Sequence, residues 1–110
     1  MMGTRKRALD DLPIAVVGCD FRRASTSWRN ALLLGDGERR LIGEQFRTSA
    51  DVSGLVLLQT CNRVEWILSG PKPRWAAQLA RAQLLTAWQK ADLPRPHPRP
   101  YLHHGRAAVA

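Results

Sequence analysis

Leu55-Val56-Leu57-Leu58-Gln59-Thr60-Cys61-Asn62-Arg63-Val64-Glu65-Trp66-Ile67-Leu68 is the stretch on which the fold turns. Its apolar run 55–58 is too short for a helix and reads as a central strand. Val64–Leu68 resumes as a second strand, which Gly70-Pro71-Lys72-Pro73 stops. Between them Thr60-Cys61-Asn62-Arg63 makes a tight connection in which Asn suits a turn. The spacing predicts a β-hairpin with Cys61 near its tip.

Upstream, Pro13-Ile14-Ala15-Val16-Val17-Gly18-Cys19 is a continuous apolar run closed by a small residue, as expected of a buried strand. Ser25-Thr26-Ser27 offers N-cap residues for a short helix over 28–33, halted by Gly35-Asp36-Gly37. Asp36 then caps a second helix, with Leu41, Ile42, Gln45 and Phe46 on one face. The two helical pieces form one crossover.

Downstream, residues 74–91 carry the clearest helical period, with Trp75, Leu79, Ala82, Leu85 and Trp88 as the core stripe and Arg74, Gln78 and Arg81 on another face. Prolines at 94, 96, 98 and 100 then block helix and favour extended chain. His97 among them is expected to be a solvated loop residue. Tyr101-Leu102-His103-His104 is expected as a short strand at a sheet edge. The order β-α-β-β-α-β is that of a ferredoxin-like α+β sandwich, an antiparallel sheet with helices on one face. The expected organisation is a flexible basic lead-in over 1–12, one domain over 13–104 and the start of a helix over 105–110.

A length of 110 residues suits one domain, and 45% hydrophobic residues suit a globular one. No stretch nears the ~18 apolar residues of a membrane span, and no apolar segment of a secretory signal follows the basic start. Two cysteines in no CxxC spacing fit a reducing cytoplasm. The net charge is +8, and most of it falls in residues 61–110, with 8 basic and 2 acidic groups. Either a solvated basic surface or attraction to an RNA backbone accounts for it.

Cys61 is the most suggestive residue. A thiol at a hairpin tip beside Arg63 is exposed and near a cation that favours the thiolate, while Thr60 and Asn62 add hydrogen-bonding groups. The competing role for a lone cysteine is a small buried hydrophobe, and Cys19, closing an apolar strand, takes that role. His103 and His104 point to opposite faces of a strand, a poor arrangement for a metal clamp. Gly35-Asp36-Gly37 lacks the third glycine of a dinucleotide fingerprint and does not follow a strand.

The segment Val56–Glu65 resembles the Thr-Cys-Asn-Arg-x-Glu motif of the glutamyl-tRNA reductase family, which begins five-carbon tetrapyrrole (porphyrin, 5-aminolevulinate) synthesis. Val16–Ala24 resembles the family's opening Val-Val-Gly segment, and Tyr101–Val109 the stretch that leads into its next helix. The resemblance implies a ferredoxin-like catalytic domain in which a cysteine takes the glutamyl group from glutamyl-tRNA as a thioester, later reduced with NADPH. Cys61 is then the nucleophile, and Thr60, Asn62, Arg63 and Arg22 bind substrate, with Arg63 gripping the γ-carboxylate in bidentate fashion. No cofactor is expected on these residues themselves.

The chain also departs from the family pattern. The family's opening His, Thr and Pro are Phe21, Arg23 and Ser25, and its acidic helix residue is Asn30. Its assisting histidine is expected just past Ala110, and its NADPH and dimerisation domains are not represented. A separate chain or a full-length reductase is an expected partner. The alternatives are a non-catalytic module that binds charged tRNA, the reductase, or haem through Cys61 or His103/His104, and a general RNA-binding domain, for which the strands lack stacking aromatics.

Overall fold

A computed structural model describes residues 13–109, and the expected basic lead-in over 1–12 lies outside them. Four strands, β1 (Ile14–Asp20), β2 (Gly54–Gln59), β3 (Arg63–Ser69) and β4 (Tyr101–His104), form one sheet in the order β2-β3-β1-β4. Every neighbouring pair is antiparallel, so β1 and β2, both antiparallel to β3, run parallel to each other. This is the ferredoxin-like arrangement that the element order predicts, with β4 at an edge. The crossover holds α1 (Thr26–Asn30) and α2 (Asp36–Ala50), and α3 (Pro73–Lys90) follows β3.

Strand alternation divides the sheet into two faces. Ala15, Val17 and Cys19 of β1 pair in register with Leu68, Trp66 and Val64 of β3, and all six are buried under the helices. Gly18 is needed at its position because a Cβ there would collide with the Val64 carbonyl oxygen. On the other face Val16, Ile67 and His103 lie in one row, and Gly18, Glu65 and Tyr101 in the next. Gly105, at φ 62°, turns the chain from β4 into the short α4 (Arg106–Val109). Ala107 and Ala108 of α4 reach the second face, so this one turn of helix lies opposite the others.

Four helix expectations need correction. Asp36 is the first residue of α2 rather than its cap; Gly35 is the N-cap, and its N–H donates to the Glu38 carboxylate at 3.3 Å. The buried face of α2 runs through Phe46 and Ala50 with Ile42 half-buried, whereas Leu41 and Gln45 are exposed. In α3 the buried stripe is Ala76, Ala77, Ala80, Leu84 and Trp88, which shares only Trp88 with the predicted one. Trp75 is 53% exposed and Ala82 is exposed, with Leu79 and Leu85 at the margin of the core. The periodicity was shared by two faces; the three alanines decide, because only small side chains let α3 lie close on β1. α1 also ends early, at Asn30.

His97 is half-buried rather than solvated: its ring packs on Trp28 at 5.3 Å between centroids. Trp28 in turn meets Trp88 edge-on at 5.7 Å, and Trp88 Nε1 donates to the Trp28 carbonyl at 2.8 Å. This aromatic column joins α1, α3 and the proline-rich loop. Trp88→Ala is therefore expected to cost about 3–5 kcal/mol, and Trp75→Ala under about 1 kcal/mol. Urea unfolding of both variants measures the contrast.

Candidate active site

The antiparallel register brings four segments to one rim of the sheet. Asp20 pairs with Arg63, Gln59 pairs with Val64, and residues 60–62 cap the rim as the β2–β3 turn. The turn is closed by the Thr60 N–H donating to the Arg63 carbonyl at 2.9 Å and by the Asn62 N–H donating to Thr60 Oγ1 at 3.3 Å. Thr60 thus shapes the turn with the hydroxyl expected to face a substrate. Cys61 projects from the turn as an exposed free thiol.

What holds this turn in place is Arg29 on α1. Its guanidinium is buried and donates to the Ala24 carbonyl (2.6 Å), the Cys61 carbonyl (3.0 Å) and Thr26 Oγ1 (3.2 Å). The Phe21 N–H donates to the Asn62 carbonyl at 2.9 Å, so the 20–24 loop grips the same turn. Gln59 fixes the other side, accepting from the Leu34 N–H (2.7 Å) and donating to the Leu34 carbonyl (3.3 Å). None of Arg29, Gln59 and Phe21 signals this anchoring role by its neighbours in sequence, and their partners are 3 to 41 positions away.

Beside the turn, on the face away from α1, α2 and α3, lies an open depression of about 940 Å³. Arg22, Arg23 and Arg63 line it with Asp20, Glu65, Tyr101 and His103 over an apolar floor that includes Val16 and Ile67. Arg63 Nη1 is 3.7 Å from Glu65 Oε1, while the Tyr101 hydroxyl donates to Glu65 Oε2. Glu65 is therefore shared, and Arg63 keeps donors available to a second anion. Arg23 lies over the Tyr101 ring at 5.5 Å and Arg22 over the Phe21 ring at 5.6 Å. Of the predicted residues, Arg22 and Arg63 line this depression, while Thr60, Cys61 and Asn62 form the adjoining turn. Glu65 carries no role in the sequence reading and Arg23 and Tyr101 are not singled out by it; the β3-β1-β4 register sets Glu65 and Tyr101 on one face, and Arg23 reaches the Tyr101 ring from the loop after β1.

Two groups have shifted titrations. Burial pushes the Cys19 thiol up to about 11 from 9.0, against the nearby Arg29 charge and with the help of Asp20. Burial, then the hydrogen bond to Glu65, pushes the Tyr101 hydroxyl above its usual range. Cys19 is fully buried, so of the two thiols only Cys61 can meet a solute. Among the described residues no three His, Cys, Asp or Glu side chains gather as a metal site, and no helix is long and apolar enough to cross a membrane.

Comparison with known proteins adds two likenesses. The family model described as Glutamyl-tRNAGlu reductase, N-terminal domain, matches residues 17–110. Among solved structures, glutamyl-tRNA reductase from Methanopyrus kandleri is 30% identical with a TM-score of 0.62, the match covering 88% of this chain and 20% of that one. The chain spans about a fifth of that protein's length. No curated protein matches it.

Arg29→Leu should leave the Ala24 and Cys61 carbonyls without their donor. The expected loss is about 2–4 kcal/mol, with faster amide exchange at 60–63 by hydrogen-exchange mass spectrometry. A second expectation concerns alkali. Between pH 9 and about 11 the unfolded chain has lost the Cys19 proton and the folded chain still holds it, so stability falls as pH rises through that window. The drop should reach about 2–3 kcal/mol. Cys19→Ala should flatten the lower part of the slope and Tyr101→Phe the part above the ordinary tyrosine range, as read by denaturation at stepped pH.

Proposed function

Because this chain belongs to the glutamyl-tRNA reductase N-terminal domain family, we propose that it performs acyl transfer, taking glutamate from glutamyl-tRNA onto Cys61. The observation that carries this is the exposed Cys61 thiol on a turn fixed by a buried arginine, two residues before Arg63 of an arginine-lined depression.

The Cys61 thiolate attacks the carbonyl carbon of the glutamyl ester. A C–S bond forms, the C–O bond to the terminal ribose breaks, and the ribose oxygen leaves with a proton from solvent. The thioester keeps the acyl group activated for a later step. Arg63 takes the γ-carboxylate, aided by Arg22. A guanidinium suits that group because it offers paired parallel donors. Thr60 and Asn62 contribute by holding the turn that aims the thiol.

The described residues do not fit NADPH. Gly18 is pressed against Val64 inside β1, Gly35 caps α2 after another helix rather than after a strand, and Gly37 lies within α2. A phosphate-binding turn needs the opposite arrangement. Hydride delivery therefore falls to residues outside this stretch or to a separate chain. Two free cysteines, one of them a working thiol, fit a cytoplasmic setting.

Incubation with glutamyl-tRNA labelled on the amino acid tests the proposal. The wild-type chain should retain label that hydroxylamine releases, and Cys61→Ser should retain none; equal labelling of the two would refute the assignment. Arg63→Gln should slow labelling by about tenfold or more, the worth of one charge-assisted contact, while leaving Cys61 open to iodoacetamide.

A further inference from the structure

A second concave feature lies on the helix side of the sheet, between α3 and the loop that leads into β4. It is a cleft of about 520 Å³ lined by Arg81, Leu85, His97, Pro98, Arg99 and Pro100. No acidic residue lines it, and neither arginine has a carboxylate within ion-pair distance among the described residues. Two guanidinium groups without a counter-charge at one cleft create a local positive potential that focuses on an anion. Planar paired donors suit phosphate oxygens.

The cleft is fixed rather than loose. His97 is held against Trp28, and Trp28 against Trp88, which is itself buried in α3. Proline at 98 and 100 removes backbone donors and restricts φ along the wall. The position is also telling. Tyr101, next after Pro100, pairs with Gly18, and Gly18 pairs with Glu65, so the loop enters the sheet near the rim that carries the Cys61 turn. Neighbouring residues of α1 serve both places: Trp28 packs on His97, and Arg29 holds the Cys61 carbonyl.

From this we infer that Arg81, Arg99 and His97 form a phosphate-binding cleft that seats the RNA backbone of the aminoacylated tRNA. The inference rests on the acyl-transfer proposal for its choice of RNA. Phosphate contacts of this kind position a nucleic acid without reading its sequence. The cleft would hold the nucleic acid on the helix side while the acylated end reaches over the rim to the thiol.

The test measures binding of uncharged tRNA to the full chain carrying Cys61→Ser, across a range of salt, so that acylation plays no part. Arg81→Gln/Arg99→Gln should weaken binding by about tenfold or more at low salt and lower the slope of log affinity against log salt by about 2. Arg40→Gln/Arg47→Gln, which removes the same charge from exposed positions of α2, should change both far less. Arg81→Lys/Arg99→Lys should recover most of the slope. Equal effects of the two Gln pairs, or no RNA binding by the chain with both arginines intact, would overturn the inference. Inorganic phosphate serves as the second probe: saturation at Arg81 and Arg99 by phosphate alone, with tRNA failing to displace it, would overturn the RNA assignment in favour of a small phosphate compound. Failure of Cys61 labelling with intact, cleft-dependent RNA binding would count against acyl transfer and leave the cleft standing.

Discussion

A guanidinium removed from water needs an acceptor for each donor it turns inward, and Arg29 finds its acceptors at the ends of two loops. Its partners are neutral oxygens, so the charge is held by hydrogen bonds alone. The Ala24 carbonyl ends the loop after β1, and the Cys61 carbonyl belongs to the β2–β3 turn. One side chain thereby makes the two loops a single object. The thiol position, the entry to α1 and the approach of the 20–24 segment all depend on it.

The two faces of the sheet divide the work. Under the helices, β1 and β3 interlock through small and large residues, Ala15 against Leu68 and Val17 against Trp66, while the alanines of α3 allow close approach. On the other face the same strands present Asp20, Arg63 and Glu65, with Tyr101 of β4, around a depression. Because side chains alternate, each residue that secures the core places its neighbour in the candidate site. Moving the register by one residue would bury the charges and expose the core.

The hairpin, the first strand and the edge strand were legible in the sequence because short apolar runs bounded by Gly and Pro have few alternatives. Helix faces were less so. Along α3 two apolar stripes compete, and the larger residues favour the wrong one; Trp75 looks like core and ends at the surface, its Nε1 donating to the Ser49 carbonyl. His97 was misjudged for a related reason, since nothing local signals that Trp28, 69 positions earlier, covers it. Cys61, Thr60, Asn62 and Arg63 stood out because they are contiguous. Arg29 and Tyr101 did not, because they reach the Cys61 carbonyl and Glu65 only through packing and strand pairing.

By itself the sequence determined the element order, the antiparallel hairpin with a thiol at its tip and, through Thr60-Cys61-Asn62-Arg63, the family. Local patterns suffice for these because they reflect spacing along the chain. The tertiary structure alone decided which arginines serve which place: Arg29 inside as the anchor of the turn, Arg63 and Arg22 at the depression, Arg81 and Arg99 at the cleft behind. Side chains of one type are indistinguishable in a sequence. Burial and register separate them, because a guanidinium is defined by the oxygens, rings and charges that the fold brings within reach.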